Sequence, residues 1–370
     1  MDNYAILVIP AVLVMLFFKF KYDKDITLME MGIHLLAILL VSAMVLGITY
    51  AVLYSKLGDT EILNGSVTSK YKHTEWCTEY SSCKHYVLRE SCSYSYSTDS
   101  KGKTTRTKHC VTYKVFDYRY EVDWIVKSTV GSFEIERVNR QGTVMPERFN
   151  VIQIGDPASS TNSYMNYLFA DEHSLFAEKK FEESYDEEYQ KKIPKYPVIY
   201  DYYKVDHVVN STNHNISGYN EYLAEVLKVA GKEKQLNIVI VLYDAYDMQY
   251  TDALLSKWRG GKKNDVIMMF GLDDEGKVAK FSSTSFAQGM KNESLHANLR
   301  IKALNEVMNL DLVQKMTQLT VSQFNRLPNE EFKYMKYKIE PKKEVVIGGA
   351  IVLLCLSIGL GFFMRDNEIA

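Results

Sequence analysis

The sequence predicts an α+β membrane protein: two or three transmembrane helices, a disulfide-rich all-β domain and an α/β domain. Three observations predict it. Apolar runs at 4–18, 33–54 and 345–364 bracket about 290 polar residues. Four of the five cysteines cluster between Cys77 and Cys110. Strand-like alternation in the first half of the polar region then gives way to helices alternating with fully apolar strands, the pattern of a layered α/β fold.

Residues 1–54 hold two membrane helices, 4–18 and 33–54. The second run and 345–364 each suffice to cross a hydrocarbon core of about 30 Å at 1.5 Å per helical residue. The first run is shorter and holds Pro10. It reads as a short tilted span or a re-entrant anchor rather than a signal peptide, because Met1-Asp2-Asn3 carries no Lys or Arg. Between the first two runs stand Lys19, Lys21, Asp23, Lys24 and Asp25. Basic residues beside a span favour the cytoplasmic side, which puts the polar region outside the cytoplasm. Lys342 and Lys343 oppose that orientation, though the rule weakens after a large domain. Cys355 reads as a packing residue of the last run, and Ser357 with Gly361 has a spacing suited to helix packing.

Residues 55–170 form the cysteine-containing β-domain. Cys77, Cys83, Cys92 and Cys110 suit two disulfides in an oxidising compartment, with three pairings open. Zinc, helped by His73, His85 and His109, is the competing reading, but the gaps between the cysteines do not match the usual short ligand pairs. Between Cys92 and Cys110, 93–108 is mostly Ser, Thr, Tyr, Lys and Gly with almost nothing aliphatic. Such a segment cannot bury a core, so a long exposed hairpin or loop needs cross-links, each contributing about 2–4 kcal/mol. Alternation predicts strands over 111–115, 118–126, 133–138 and 149–154, hence a sandwich or barrel. Residues 171–217 are a charged connector, whose Phe176, Phe181 and Tyr185 suggest a thin-striped surface helix.

Residues 218–330 read as the α/β domain: helix 219–232 stopped by Gly231, strand 236–243, helix 250–258, strand 266–272, strand 277–281, and helices 294–308 and 311–327. A linker (331–344), the last helix and a tail (365–370) follow. Carboxylates end the two central strands: Asp244 and Asp247 after the first, Asp273 and Asp274 after the second. Converging there, they would hold a hard cation, calcium being the natural choice. As plain turn residues they need no ligand. No cofactor is otherwise implied, and no catalytic residue stands out. Ser282 and Ser285 have no His close by in sequence to serve as a base.

Two resemblances bear on this layout. The first half resembles membrane proteins of bacteria and large phages with a cysteine-rich start, a Tyr-x-Val-x-Trp strand (here Tyr120 to Trp124) and a Gly-Asp-Pro stretch (here Gly155 to Tyr167). The second, over about Gly218–Leu327, resembles the TPM domain, an α/β module often tethered to membranes. Tyr250, Ala253, Leu254, Trp258, Gly261-Lys262-Lys263-Asn264, the strand 266–270 and Asp273-Asp274 carry that resemblance. Asp265 replaces the family's Gly, and Ser282 to Ser285 replaces its Gly-x-Gly. TPM relatives include phosphatases, calcium binders and assembly factors.

The function expected is therefore protein interaction or membrane-complex assembly by an extracytoplasmic domain, with a protein partner besides the membrane. The alternative is a TPM-type phosphatase or metal-dependent hydrolase. A net charge of −2 gives no sign of nucleic-acid binding, and a channel is disfavoured because the apolar runs lack acidic and basic residues.

Overall fold

The computed structural model describes residues 2–22, 26–98, 100–170, 180–201, 203–286 and 291–366. Helices α1 (Asp2–Lys21) and α2 (Leu28–Ser55) come first. With the last helix, 343–366, they are long and apolar enough to cross a membrane. Each is longer than its apolar run. α2 starts earlier because Thr27 and Glu30 close a capping box: the Thr27 hydroxyl accepts from the Glu30 amide while the Glu30 carboxylate accepts from the Thr27 amide. The longer helix brings an acidic residue into the bundle, since Glu30 is buried, as is His34 one turn on.

The β-domain is a four-stranded sheet of order β5-β4-β1-β6. It comprises β1 (Gly58–Trp76), β4 (Tyr120–Ser128), β5 (Gly131–Ile135) and β6 (Pro157–Met165). β1 is central and has 19 residues, yet its sequence is too polar to read as a strand. Its Val67 joins Val122, Trp124, Val126, Phe149 and Ile152 in one core cluster. Two strands expected from alternation change. The segment at 149–154 is no strand: it starts within a short helix, α3 (Glu147–Val151), which Ile152 ends in an extended conformation. Phe149 and Ile152 both reach the core, and a three-residue spacing allows that on a helical turn but not on a strand. β5 stops at Ile135, before the expected end.

A separate two-stranded ribbon leaves this sheet: β2 (Tyr86–Thr98) and β3 (Thr104–Phe116), paired antiparallel from Tyr86↔Phe116 to Thr98↔Thr104. Cys92 lies directly opposite Cys110 and is bonded to it, and Cys77 is bonded to Cys83. These bonds choose one of the three pairings and engage all four candidate zinc thiolates.

The charged connector lies partly outside the described residues, Phe176 included. Its described part holds α4 (Lys180–Ser184) and α5 (Glu187–Lys192), and near its end the strand Val208–Asn210, which joins the α/β sheet. Rather than lying free on the surface, it buries Phe181 with Tyr185 and Tyr189 packed beside it.

The α/β layer has strand order β10-β9-β8-β7. β7 (Val208–Asn210), β8 (Asn237–Asp244) and β9 (Asp265–Leu272) run parallel, with β10 (Val278–Ser285) antiparallel at the edge. Both faces of β8 and β9 are covered, which explains their unbroken apolar runs. Ile238, Ile240, Val266 and Met268 pack under α6 (Tyr219–Lys234), α8 (Glu293–Ala303) and α9 (Leu310–Gln323). Val239, Val241, Ile267 and Met269 pack under α7 (Tyr250–Lys257) and Phe181. Ser282 to Ser285 continues β10 instead of following it. The linker 331–344 is mostly a 3-10 helix, Asn329–Lys338, and α10 (Lys343–Asp366) closes the chain.

Gly231 does not stop α6, which runs on to Lys234. A Cβ there would meet the Asn64 carbonyl oxygen at 2.5 Å, so glycine lets α6 press against β1.

Candidate functional site

The ribbon stands away from both cores. Its side chains are exposed along almost all of both strands, and among the described residues neither strand pairs with a third. At about 3.4 Å per residue it reaches roughly 40 Å. Residues 86–116 carry six Lys or Arg against two acids, a net +4 in a chain whose total is −2. The register sorts them. Tyr96 faces Arg106, Tyr94 faces Lys108, and Leu88 faces Lys114, so Tyr86, Tyr94, Tyr96, Arg106, Lys108 and Lys114 share one face. The Arg106 guanidinium lies 3.6 Å from the centre of the Tyr94 ring, and the Lys114 ammonium 4.6 Å from that of Tyr86.

The root of the ribbon is clamped. Glu121 on β4 is buried and accepts from the Lys84 and His85 amides (3.1 and 2.9 Å) and from Arg137 Nη1 (2.7 Å). Arg137 also donates to Asp123 at 2.6 Å. Burial opposes ionisation of Glu121, but Arg137 and the two amides outweigh it and hold the carboxyl at about 2. Removing one partner from such a buried pair typically costs about 3–5 kcal/mol.

A second polar cluster joins the two domains at the amino ends of β8 and β9. Asp265 is buried and accepts from Asn237 Nδ2 (2.8 Å), the Tyr196 hydroxyl (2.9 Å) and the Lys262 amide (2.7 Å). Burial pushes its carboxyl up to about 6 against these donors. Lys262 reaches across to Asp59 on β1, Asn64 donates to Asn237, and Arg326 pairs with Glu61 at 2.8 Å. The Gly261-Lys262-Lys263-Asn264 stretch thus sits at this joint, not beyond the carboxyl ends of the strands. A cleft of about 360 Å³ lies nearby, where Asp156, Asp206 and Glu221 outnumber Lys204, a charge balance unsuited to phosphate esters.

The strand-end aspartates do separate jobs. Asp247 accepts from Tyr189 (2.7 Å) and Lys192 (2.8 Å). Asp273 accepts the Glu275 and Lys277 amides of its turn, and Asp244 accepts the Tyr246 amide. Asp274 is exposed. Among the described residues, triads of metal-type ligand atoms within 4.8 Å are Cys77–Cys83–Glu121 and Glu90–Cys92–Cys110. Both contain cysteines already bonded to each other, and neither includes one of the four aspartates.

The structure supplies a base that sequence reasoning missed. From α8, His296 places Nδ1 2.8 Å from Ser283 Oγ and Nε2 2.9 Å from Ser285 Oγ. Burial lowers the imidazole to about 4, so the ring is neutral near pH 7. It then donates to one serine and accepts from the other. Nothing between Ser285 and His296 along the chain signalled this, because the contact depends on α8 folding back over the edge strand.

The chain matches no family model, no curated protein and no solved structure.

Proposed function

We propose that this is a multi-pass membrane protein whose large domain lies outside the cytoplasm and acts in protein interaction or membrane-complex assembly. The exposed, disulfide-stapled ribbon carries this reading. A two-stranded ribbon without a third strand has little stability of its own, and this one is held by a cross-link and a buried ionic clamp. It gives nothing back to the core, as expected of a segment retained for contact. Two observations support the orientation. Disulfides persist in oxidising compartments. The bundle also gathers Lys21 and Arg365 around Tyr22, at the helix ends away from the chain's exits at Ser55 and Lys343, and basic ends favour the cytoplasm. The test replaces 86–116 with a short Gly-Ser turn in the full chain and crosslinks it in membranes. Loss of a reproducible protein partner at an unchanged thermal midpoint supports the reading; an unchanged partner profile sinks it.

A second reading, a TPM-type phosphatase or other hydrolase, is favoured by one observation, the Ser283–His296–Ser285 contact. A neutral imidazole is competent to take a serine proton. Treatment with a fluorophosphonate probe decides it: an adduct on Ser283 that disappears in His296→Ala supports hydrolysis, and an unmodified serine rules out this nucleophile.

A further inference from the structure

We infer that the ribbon takes its partner as a third strand: an extended, acidic protein segment laid along the outer edge of β3. This rests on the interaction reading above and names the surface and the chemistry of what binds. Three observations carry it. β2 and β3 form a two-stranded sheet, so β3 has one row of backbone N–H and C=O groups facing away from β2, available to an added strand. β3 is also the basic strand. It holds Arg106, Lys108 and Lys114 and no acid, whereas β2 sets Glu90 against Arg89. Finally, Arg106, Lys108 and Lys114 lie on one face, because even-numbered positions alternate to the same side. A neighbouring strand with carboxylates at every second position would set them beside Arg106 and Lys108 on that face, where opposite charges attract.

The same charges choose among occupants. A second copy of this ribbon would bring like charges against Arg106 and Lys108, which disfavours self-pairing. A flexible anionic polymer such as single-stranded nucleic acid would satisfy the cations but leave the edge amides unpaired. The backbone row and the alternating charge are both used only by an extended acidic peptide.

The probe is a ten-residue peptide of alternating Glu and Thr, titrated against the full-length protein in zwitterionic nanodiscs. We expect saturable binding, with slowed amide exchange confined to β3. Binding should weaken at least tenfold in R106E/K108E and return when that variant meets the Lys-Thr counterpart. A peptide of the same charge interrupted by prolines should not bind, since it cannot form the ladder. Equal binding of the proline-interrupted peptide, or of a single-stranded oligonucleotide without protection of β3, overturns the inference. So does an absence of binding by the ribbon-intact protein. R106E/K108E that still crosslinks its membrane partner overturns the acidic-strand inference alone; the interaction reading fails only if deleting the whole ribbon leaves that partner bound.

Discussion

Single residues here are chosen by what lies opposite them in space. Gly231 shows it best. A glycine within a helix costs about 1 kcal/mol relative to alanine, so its place in α6 needs a reason. The reason is the backbone of Asn64, which a Cβ would overlap. Gly231→Ala should therefore lose about 1–3 kcal/mol by overpacking despite its better helix propensity. Chemical denaturation of the full chain checks this, and a stabilised variant would show that α6 moves freely. Ser357 is another such residue. Its hydroxyl donates to the Ala11 carbonyl at 2.7 Å, so the contact with His34 Nε2 at 2.9 Å requires the imidazole to donate. One chain of hydrogen bonds thereby links all three long apolar helices. The expected small-residue packing is present, with Gly361 against the Phe18 ring, whereas Cys355 is exposed on α10 instead of packed.

Among the elements, the ribbon and the two central α/β strands are opposites. β8 and β9 are buried on both faces and draw their stability from burial. The ribbon buries almost nothing and depends on the Cys92–Cys110 bond and on the clamp at Glu121. Replacing both Cys92 and Cys110 by Ser should therefore leave the main thermal transition within a degree or two, while amide exchange across 86–116 accelerates by tenfold or more. Hydrogen exchange by mass spectrometry reads both. A large fall in the main transition would mean that the ribbon is part of the cooperative core. The elements also show where sequence patterning succeeded. Helical spacing and unbroken apolar runs placed α6 to α9 and β8 to β10 to within a few residues, because their apolar faces meet a core directly. β1 was invisible because its inward positions include Glu61 and Asn64, whose partners Arg326 and Asn237 are far along the chain.

The whole molecule should respond to acid through groups buried in its α/β domain. Burial holds His207 at about 4, like His296. A histidine protonates near 6.5 in an unfolded chain, so the folded state binds fewer protons than the unfolded state between these values. Stability is then complete above about pH 6.5 and falls as pH drops towards 4, by about 3 kcal/mol at most for fully buried His207 and less for His296. Asp265 acts oppositely: its raised carboxyl favours the folded state as pH falls through about 6. Two histidines outweigh one aspartate, so the net expectation is loss. Thermal midpoints measured from pH 7.5 to 4.5 should fall, and His207→Asn should flatten the curve. A midpoint that rises on acidification would mean that Asp265 and the domain joint dominate.

The sequence by itself determined the three apolar helices, the cysteine cluster with its exposed segment, and the alternation of helix and buried strand. Each of these is a local pattern, readable because burial, helix period and chain length act on neighbouring residues. Only the tertiary structure decided which cysteines pair, that β1 lies inside its sheet, and that Phe149 sits on a short helix whose C-cap is Ile152. It alone placed Asp265 at a joint between domains, kept the strand-end aspartates on separate partners, and brought His296 between two serines. The place of β1 and the domain joint depend on polar contacts far apart along the chain, Asn64 with Asn237 and Glu61 with Arg326, and polar side chains carry no periodic signal until the fold has chosen their partners.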